Sequence, residues 1–137
     1  MKPVCLVIGA GAGIGATVGK RFAKEGYHSV LCRRSDADGL NKSITAIESE
    51  GGSATGYIVN AVDPDTIEEH IGHIEKNIGP IEVAVYNLGA QIGNRSLEET
   101  SYKAFEMGWR LGTLGLFRLA SSVCPLMVER GKGTLLV

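Results

Sequence analysis

The sequence predicts an α/β protein built on a doubly wound parallel sheet, a strand layer with helices on both faces. Three observations predict it. Short β-prone apolar runs alternate with segments of helical periodicity from one end of the chain to the other. The first run, 4–8, passes without a linker into Gly9-Ala10-Gly11-Ala12-Gly13-Ile14-Gly15 and then into helical spacing. The segments that could meet a ligand, 9–15, 33–34, 60–62 and 87–90, all follow strands, at the sheet edge where such folds bind ligands.

Bulk properties narrow the function classes. At 137 residues, 44% hydrophobic and 21% charged, the chain has one domain's worth of sequence and enough apolar material for a core. A net charge of −1 gives no general attraction to nucleic acid or to an anionic membrane. The three cysteines, Cys5, Cys32 and Cys124, lack motif spacing, and two fall in strands, so free thiols in a reducing cytoplasm are expected. His70 and His73 stand three apart on a helix without an acidic or thiol partner, which predicts solvated histidines and no metal. The apolar run at 4–8 is shorter than the roughly 7–15 residues of a signal-peptide core. The apolar stretch 111–128 is broken by Arg118 and Pro125, so no membrane span is expected.

In order along the chain, the first strand, 4–8, enters a turn where Gly9, Gly11, Gly13 and Gly15 leave the backbone without Cβ atoms. Amides at the following helix N-terminus can then approach an anion, and strand, glycine turn and helix together predict a cradle for a nucleotide diphosphate. A plain structural turn is the alternative for such a loop taken alone. Ile14, Val18 and Phe22 form the apolar stripe of that helix, and Gly26 stops it. The second strand, 28–32, ends in Arg33-Arg34-Ser35-Asp36. At this place, roughly 20 residues past the glycines, an acidic residue would receive the ribose hydroxyls and an arginine would pair with a 2′-phosphate. Arg33 and Arg34 stand there without a carboxylate at 32 or 33, which predicts NADP(H) over NAD(H). Otherwise both arginines are a solvated strand end.

Leu40, Ile44 and Ile47 mark a helix over 36–50, closed by Gly51-Gly52. The third strand, 54–59, leads to Asn60-Ala61-Val62-Asp63-Pro64. Asp63 is expected to cap, and Pro64 to open, a helix with Ile67, Ile71, Ile74 and Ile78 on one face, stopped by Gly79-Pro80. The fourth strand, 81–86, is followed by Asn87-Leu88-Gly89-Ala90, and 91–99 reads as a loop. Thr100 or Ser101 caps a long helix through Phe105, Trp109 and Phe117 to about residue 129, with Pro125 kinking its last turns. Gly112 and Gly115 weaken that helix, which predicts close packing or the close approach of a cofactor or partner helix. Gly131 and Gly133 bracket a turn into a fifth strand at 134–137. There is no internal repeat, low-complexity tract or linker, so the whole of 1–137 reads as one dinucleotide-binding domain.

Over essentially its whole length the sequence resembles the short-chain dehydrogenase/reductase family. The likeness rests on Gly9-x-x-x-Gly13-x-Gly15, Arg33, Asn60-Ala61-Val62-Asp63, Gly79-Pro80-Ile81-Glu82-Val83 leading into Tyr86-Asn87-Leu88-Gly89, and Gly131-x-Gly133. The resemblance implies a Rossmann-type three-layer α/β/α fold, here cut short after the fifth strand, and a nicotinamide cofactor. It also implies hydride transfer to or from a carbonyl or alcohol carbon of a small-molecule substrate, and a homo-oligomer. Cofactor-binding positions are expected at Gly9, Gly11, Ala12, Gly13, Ile14, Gly15, Arg33, Arg34, Asn60, Ala61, Val62, Asn87, Leu88 and Gly89.

Such chemistry needs a proton donor, because hydride addition alone leaves an unstabilised alkoxide. In the family that donor is a tyrosine, with a lysine four residues on and a serine that orients the substrate oxygen. Here the residues four past Tyr27, Tyr57, Tyr86 and Tyr102 are Leu31, Ala61, Ala90 and Glu106, so the catalytic groups are expected beyond Val137. Three positions depart from the family pattern. Tyr86 and Leu88 replace an asparagine and an alanine, Asn60 replaces an aspartate, and Gly112 stands where the family has its active-site asparagine. Those departures motivate a second reading, a nucleotide-binding sensor or interaction module without catalysis. A purely structural protein is the third.

Overall fold

The computed structural model describes residues 1–88 and 95–137. Its elements run β1 (Val4–Ile8), α1 (Ile14–Lys24), β2 (His28–Arg33), α2 (Ala37–Glu48), β3 (Ser53–Ile58), α3 (Thr66–Asn77), β4 (Ile81–Tyr86), α4 (Tyr102–Trp109), a π-helical turn (Arg110–Leu114), α5 (Gly115–Arg130) and β5 (Thr134–Leu136). The five strands are parallel, in the order β3-β2-β1-β4-β5. Chain order reverses between β1 and β4, so the loops after these two strands leave in opposite directions and open a crevice at their carboxyl ends.

Alternation along β1 sends Val4, Leu6 and Ile8 to one face and Cys5 and Val7 to the other, all buried. The first set packs with Ile67, Ile71 and Ile74 of α3 and Leu119, Val123 and Met127 of α5. The second packs with Ala23 of α1 and Leu40 and Ile47 of α2. Each buried aliphatic side chain contributes about 1.5–3 kcal/mol, which makes these two clusters the main support of the sheet.

Two expectations need correction. Of the expected α1 stripe, Val18 and Phe22 pack partly buried against the core but Ile14 is 72% exposed, and the fully buried positions are Gly15, Gly19 and Ala23. Small residues bring the helix down onto the strands: a Cβ on Gly19 would run into Leu31, and one on Gly15 into the Gly9 carbonyl. Second, α3 opens after Asp65, not at Pro64. The Asp63 amide instead donates to the Asn60 carbonyl (3.0 Å), closing a turn, and Asp65 turns into the helix at φ 62°.

The long helix carries a π-helical turn at 110–114, and α5 continues through Pro125 to Arg130. The helical stretch Tyr102–Arg130 is 29 residues, long and apolar enough to cross a membrane by length and composition alone, a test that a core helix also passes. Its Leu119, Val123 and Met127 lie in the sheet-packed core, while Phe105, Trp109 and Phe117 stay 67%, 49% and 68% exposed. Within this chain the sheet does not bury that aromatic face. As expected, Ser101 caps α4 by accepting from the Ala104 amide at 3.1 Å.

Candidate functional site: a cleft at the carboxyl edge of the sheet

The loop after β1 owes its shape to backbone bonds. The amides of Gly9 and Ala10 both donate to the Cys32 carbonyl (3.0 and 2.8 Å), tying the glycine turn to the end of β2. From the other side, the Asn87 amide donates to the Ile8 carbonyl at 2.8 Å, and its side-chain Nδ2 donates to the Gly9 carbonyl at 3.1 Å. Gly9 sits at φ +91°, and a Cβ there would lie 2.6 Å from the Asn87 carbonyl oxygen. Asn87 therefore fixes the loop, and glycine at 9 is what lets it.

Between these elements lies a cleft of about 470 Å³ lined by the glycine loop with Ile14, by Arg33 to Asp36, and by Asn87 and Leu88. A smaller recess of about 160 Å³ shares Gly9, Arg34 and Leu88 with it and is completed by Val59, Asn60, Ala61 and Leu111. Four chain segments that are far apart in sequence thus meet at one edge. Exposed Ala12 lines neither space, nor does Val62, whose amide turns inward to Asn60 Oδ1 at 3.3 Å. The same Asn60 side chain donates to Asp63 at 3.4 Å, so it is held within its own turn. The expected position Gly89 lies outside the described residues.

The cleft is suited to an anion. Helix α1 begins at Gly13 without a side-chain cap and has no acidic residue in its first turn. The Ala16 amide is taken by Gly11 and the Thr17 amide by Gly13, while those of Ile14 and Gly15 find no backbone acceptor among the described residues. Free amides at a helix N-terminus attract a phosphate. A Cβ on Gly11 or Gly13 would meet no protein atom within 4 Å, so the glycines leave open a space that side chains would fill. These residues fit a dinucleotide diphosphate.

Arg33 is more constrained than its sequence position implies. Its side chain is only 16% exposed and pairs with Asp36 at 3.2 Å. The other Asp36 oxygen accepts the Gly39 amide at 3.0 Å and caps α2. Arg34 is exposed and borders both the cleft and the recess.

Ser35, Asp36, Val59 and Leu111 are lining residues that the sequence reading does not include. Position alone could have found the first two, which directly follow the arginines. The signal for Leu111 was the glycine pair around it. Elsewhere, His70 is half-buried with its ring 5.1 Å from Tyr57, so it is a packing residue and not a solvated one.

Residues 3–137 match the family model described as short chain dehydrogenase. The chain belongs to that family. Gluconate 5-dehydrogenase of Gluconobacter oxydans is 32% identical over 128 residues, 93% of this chain but 49% of the relative. Among solved structures, an actinorhodin polyketide ketoreductase variant with NADPH superposes at a TM-score of 0.88 (28% identity, 98% of this chain, 51% of that one). The L-sorbose reductase of Gluconobacter frateurii, complexed with NADPH and L-sorbose, gives 0.87 (26%, 98% and 51%). The chain thus spans about half the length of the relatives it matches.

Proposed function

We propose that this chain is the NADP(H)-binding part of an oxidoreductase that moves hydride to or from a carbonyl or alcohol carbon of a small-molecule substrate. The observation that carries the reading is the open glycine cradle at the α1 N-terminus, with two guanidinium groups across the same cleft. Amides of the 11–15 loop would hold the diphosphate, Arg33 and Arg34 the 2′-phosphate, and Val59, Asn60 and Ala61 the adenine. Asn87 would keep the loop open, and Leu88 would border the bound nucleotide. The expected contacts at Ala12 and Val62 would be made by backbone rather than by side chains. The bound cofactor supplies or accepts the hydride.

Tyr86, the tyrosine nearest the cleft, is not the proton donor. Its hydroxyl is taken up by the Leu111 carbonyl, and burial pushes its pKa up to about 12. The donor would lie beyond Val137. Free, buried Cys5 and Cys32 support a reducing, cytoplasmic setting. The exposed Phe105, Trp109 and Phe117 support self-association, which sedimentation velocity would reveal.

Fluorescence titration with NADPH tests the reading. Saturable binding is expected, with NADH weaker; no binding by the wild-type chain refutes the assignment. Leu88 and Gly112 favour the second reading, an NADP-binding sensor without catalysis. A coding sequence that continues past Val137 into a serine and Tyr-x-x-x-Lys would decide for the enzyme.

A further inference from the structure

Tyr86 ends β4 with 2% of its surface exposed, and its hydroxyl donates to the carbonyl of Leu111 inside the π-helical turn. In an uninterrupted α-helix that carbonyl would accept the amide four residues on, that of Gly115. Here the Gly115 amide reaches back five residues, to Arg110. The phenol thus gives a donor to a carbonyl whose α-helical partner is bonded to Arg110 instead. Gly115 is part of the same arrangement, because a Cβ on it would run into the Tyr86 hydroxyl. Residues 86, 111 and 115 therefore interlock, and each requires the chemistry of the other two.

The turn they hold faces the site. Leu111 lines the recess together with Gly9, Arg34, Asn60, Ala61 and Leu88. A π turn displaces residues from the regular helical track, which is why such turns recur at functional sites. We infer that Tyr86 is a positioning residue for the adenosine end of the cofactor: by holding the Leu111 carbonyl it fixes the π turn and keeps Leu111 as a wall of the adenosine recess. This rests on the NADP(H) reading above.

Tyr86→Phe tests it in the full chain, since the ring stays and only the donor goes. NADPH and 2′,5′-ADP, which both carry the adenosine end, are expected to bind roughly five- to tenfold more weakly, the loss of one hydrogen bond. Nicotinamide mononucleotide binding is expected to stay unchanged. Amide exchange at Gly115 and Leu116 accelerates while that of β1 does not. Gly115→Ala weakens the same two adenosine ligands, and adding Tyr86→Phe to it restores part of the affinity.

Unchanged affinities with unchanged exchange overturn the inference. So does an equal loss for all three ligands, which would make Tyr86 a general support of the fold. If the wild-type chain binds none of these ligands, the cofactor part falls with the NADP(H) reading. Exchange at 110–116 then decides separately whether Tyr86 holds the turn.

Discussion

Gly11, in the loop after β1, and Gly15, in the first turn of α1, lie four residues apart and are needed for opposite reasons. A side chain at 15 would meet the Gly9 carbonyl, whereas one at 11 would enter the open cleft. Gly15→Ala is therefore expected to lower stability by about 1–3 kcal/mol in urea denaturation, the cost of overpacking. Gly11→Val should leave the urea midpoint near wild type and abolish NADPH binding. If Gly11→Val bound NADPH as the wild type does, the cradle would not be where the diphosphate sits. Across the cleft, Arg33→Ala should weaken NADPH by about 1–3 kcal/mol and NADH far less, the loss of a charge-assisted contact. Equal losses would reduce Arg33 to its ion pair with Asp36. The glycine spacing and the arginine pair were legible in the sequence because both act through local geometry. The Arg33–Asp36 pairing was not, since the turn that brings them together depends on Asp36 adopting φ 65°.

The helices show where a reading by hydrophobic periodicity fails. Such a reading looks for large apolar residues and so chose Ile14, Val18 and Phe22 for α1; Val18 and Phe22 do pack against the core, but Ile14 is exposed and the fully buried positions are the small ones, Gly15, Gly19 and Ala23. It found the isoleucine stripe of α3 correctly, because there bulk fills the gap between helix and sheet. The start of α3 was misplaced because Asp63-Pro64 has the composition of a helix opening, while the Asn60 side chain captures the Val62 amide and holds 60–63 as a turn. Gly72, in the middle of α3, has no neighbour within 4 Å of a Cβ. Gly72→Ala should accordingly raise stability by about 0.5–1 kcal/mol, measured as a shift in urea midpoint.

The end of the same helix is tied to its surroundings by Glu75, which accepts two bonds from Arg130 (2.9 and 3.1 Å) and one from the Ile81 amide (2.9 Å). Glu75→Ala leaves both donors short of a partner and should cost about 1–3 kcal/mol. A neutral Glu75→Ala would mean that water replaces the carboxylate. The π turn had no local signature beyond its glycines, and the phenol that bonds it lies 25 residues away in sequence.

Across the whole molecule, the parallel sheet and its switch point followed from the alternation of elements, and the meeting of four loops at one edge followed from the sheet. The opposite edge carries a pH dependence. His28 bonds Ser53 (3.1 Å) and Thr55 (2.8 Å) across to β3, and burial, with Lys2 nearby, holds its pKa below the ordinary 6.5. The unfolded chain therefore takes up this proton before the folded one does. Stability should fall as pH drops through 6.5 toward the lower folded value, and His28→Gln should flatten that slope in urea midpoints collected from pH 7.5 down.

The cysteines lead to one more consequence. Cys5 and Cys32 are sealed in the sheet, and burial pushes both thiols up to about 12, so at neutral pH neither has appreciable thiolate. A maleimide should label half-buried Cys124 first and the other two only when the strands part. Mass spectrometry of the slow adducts would then act as a built-in clock for global opening.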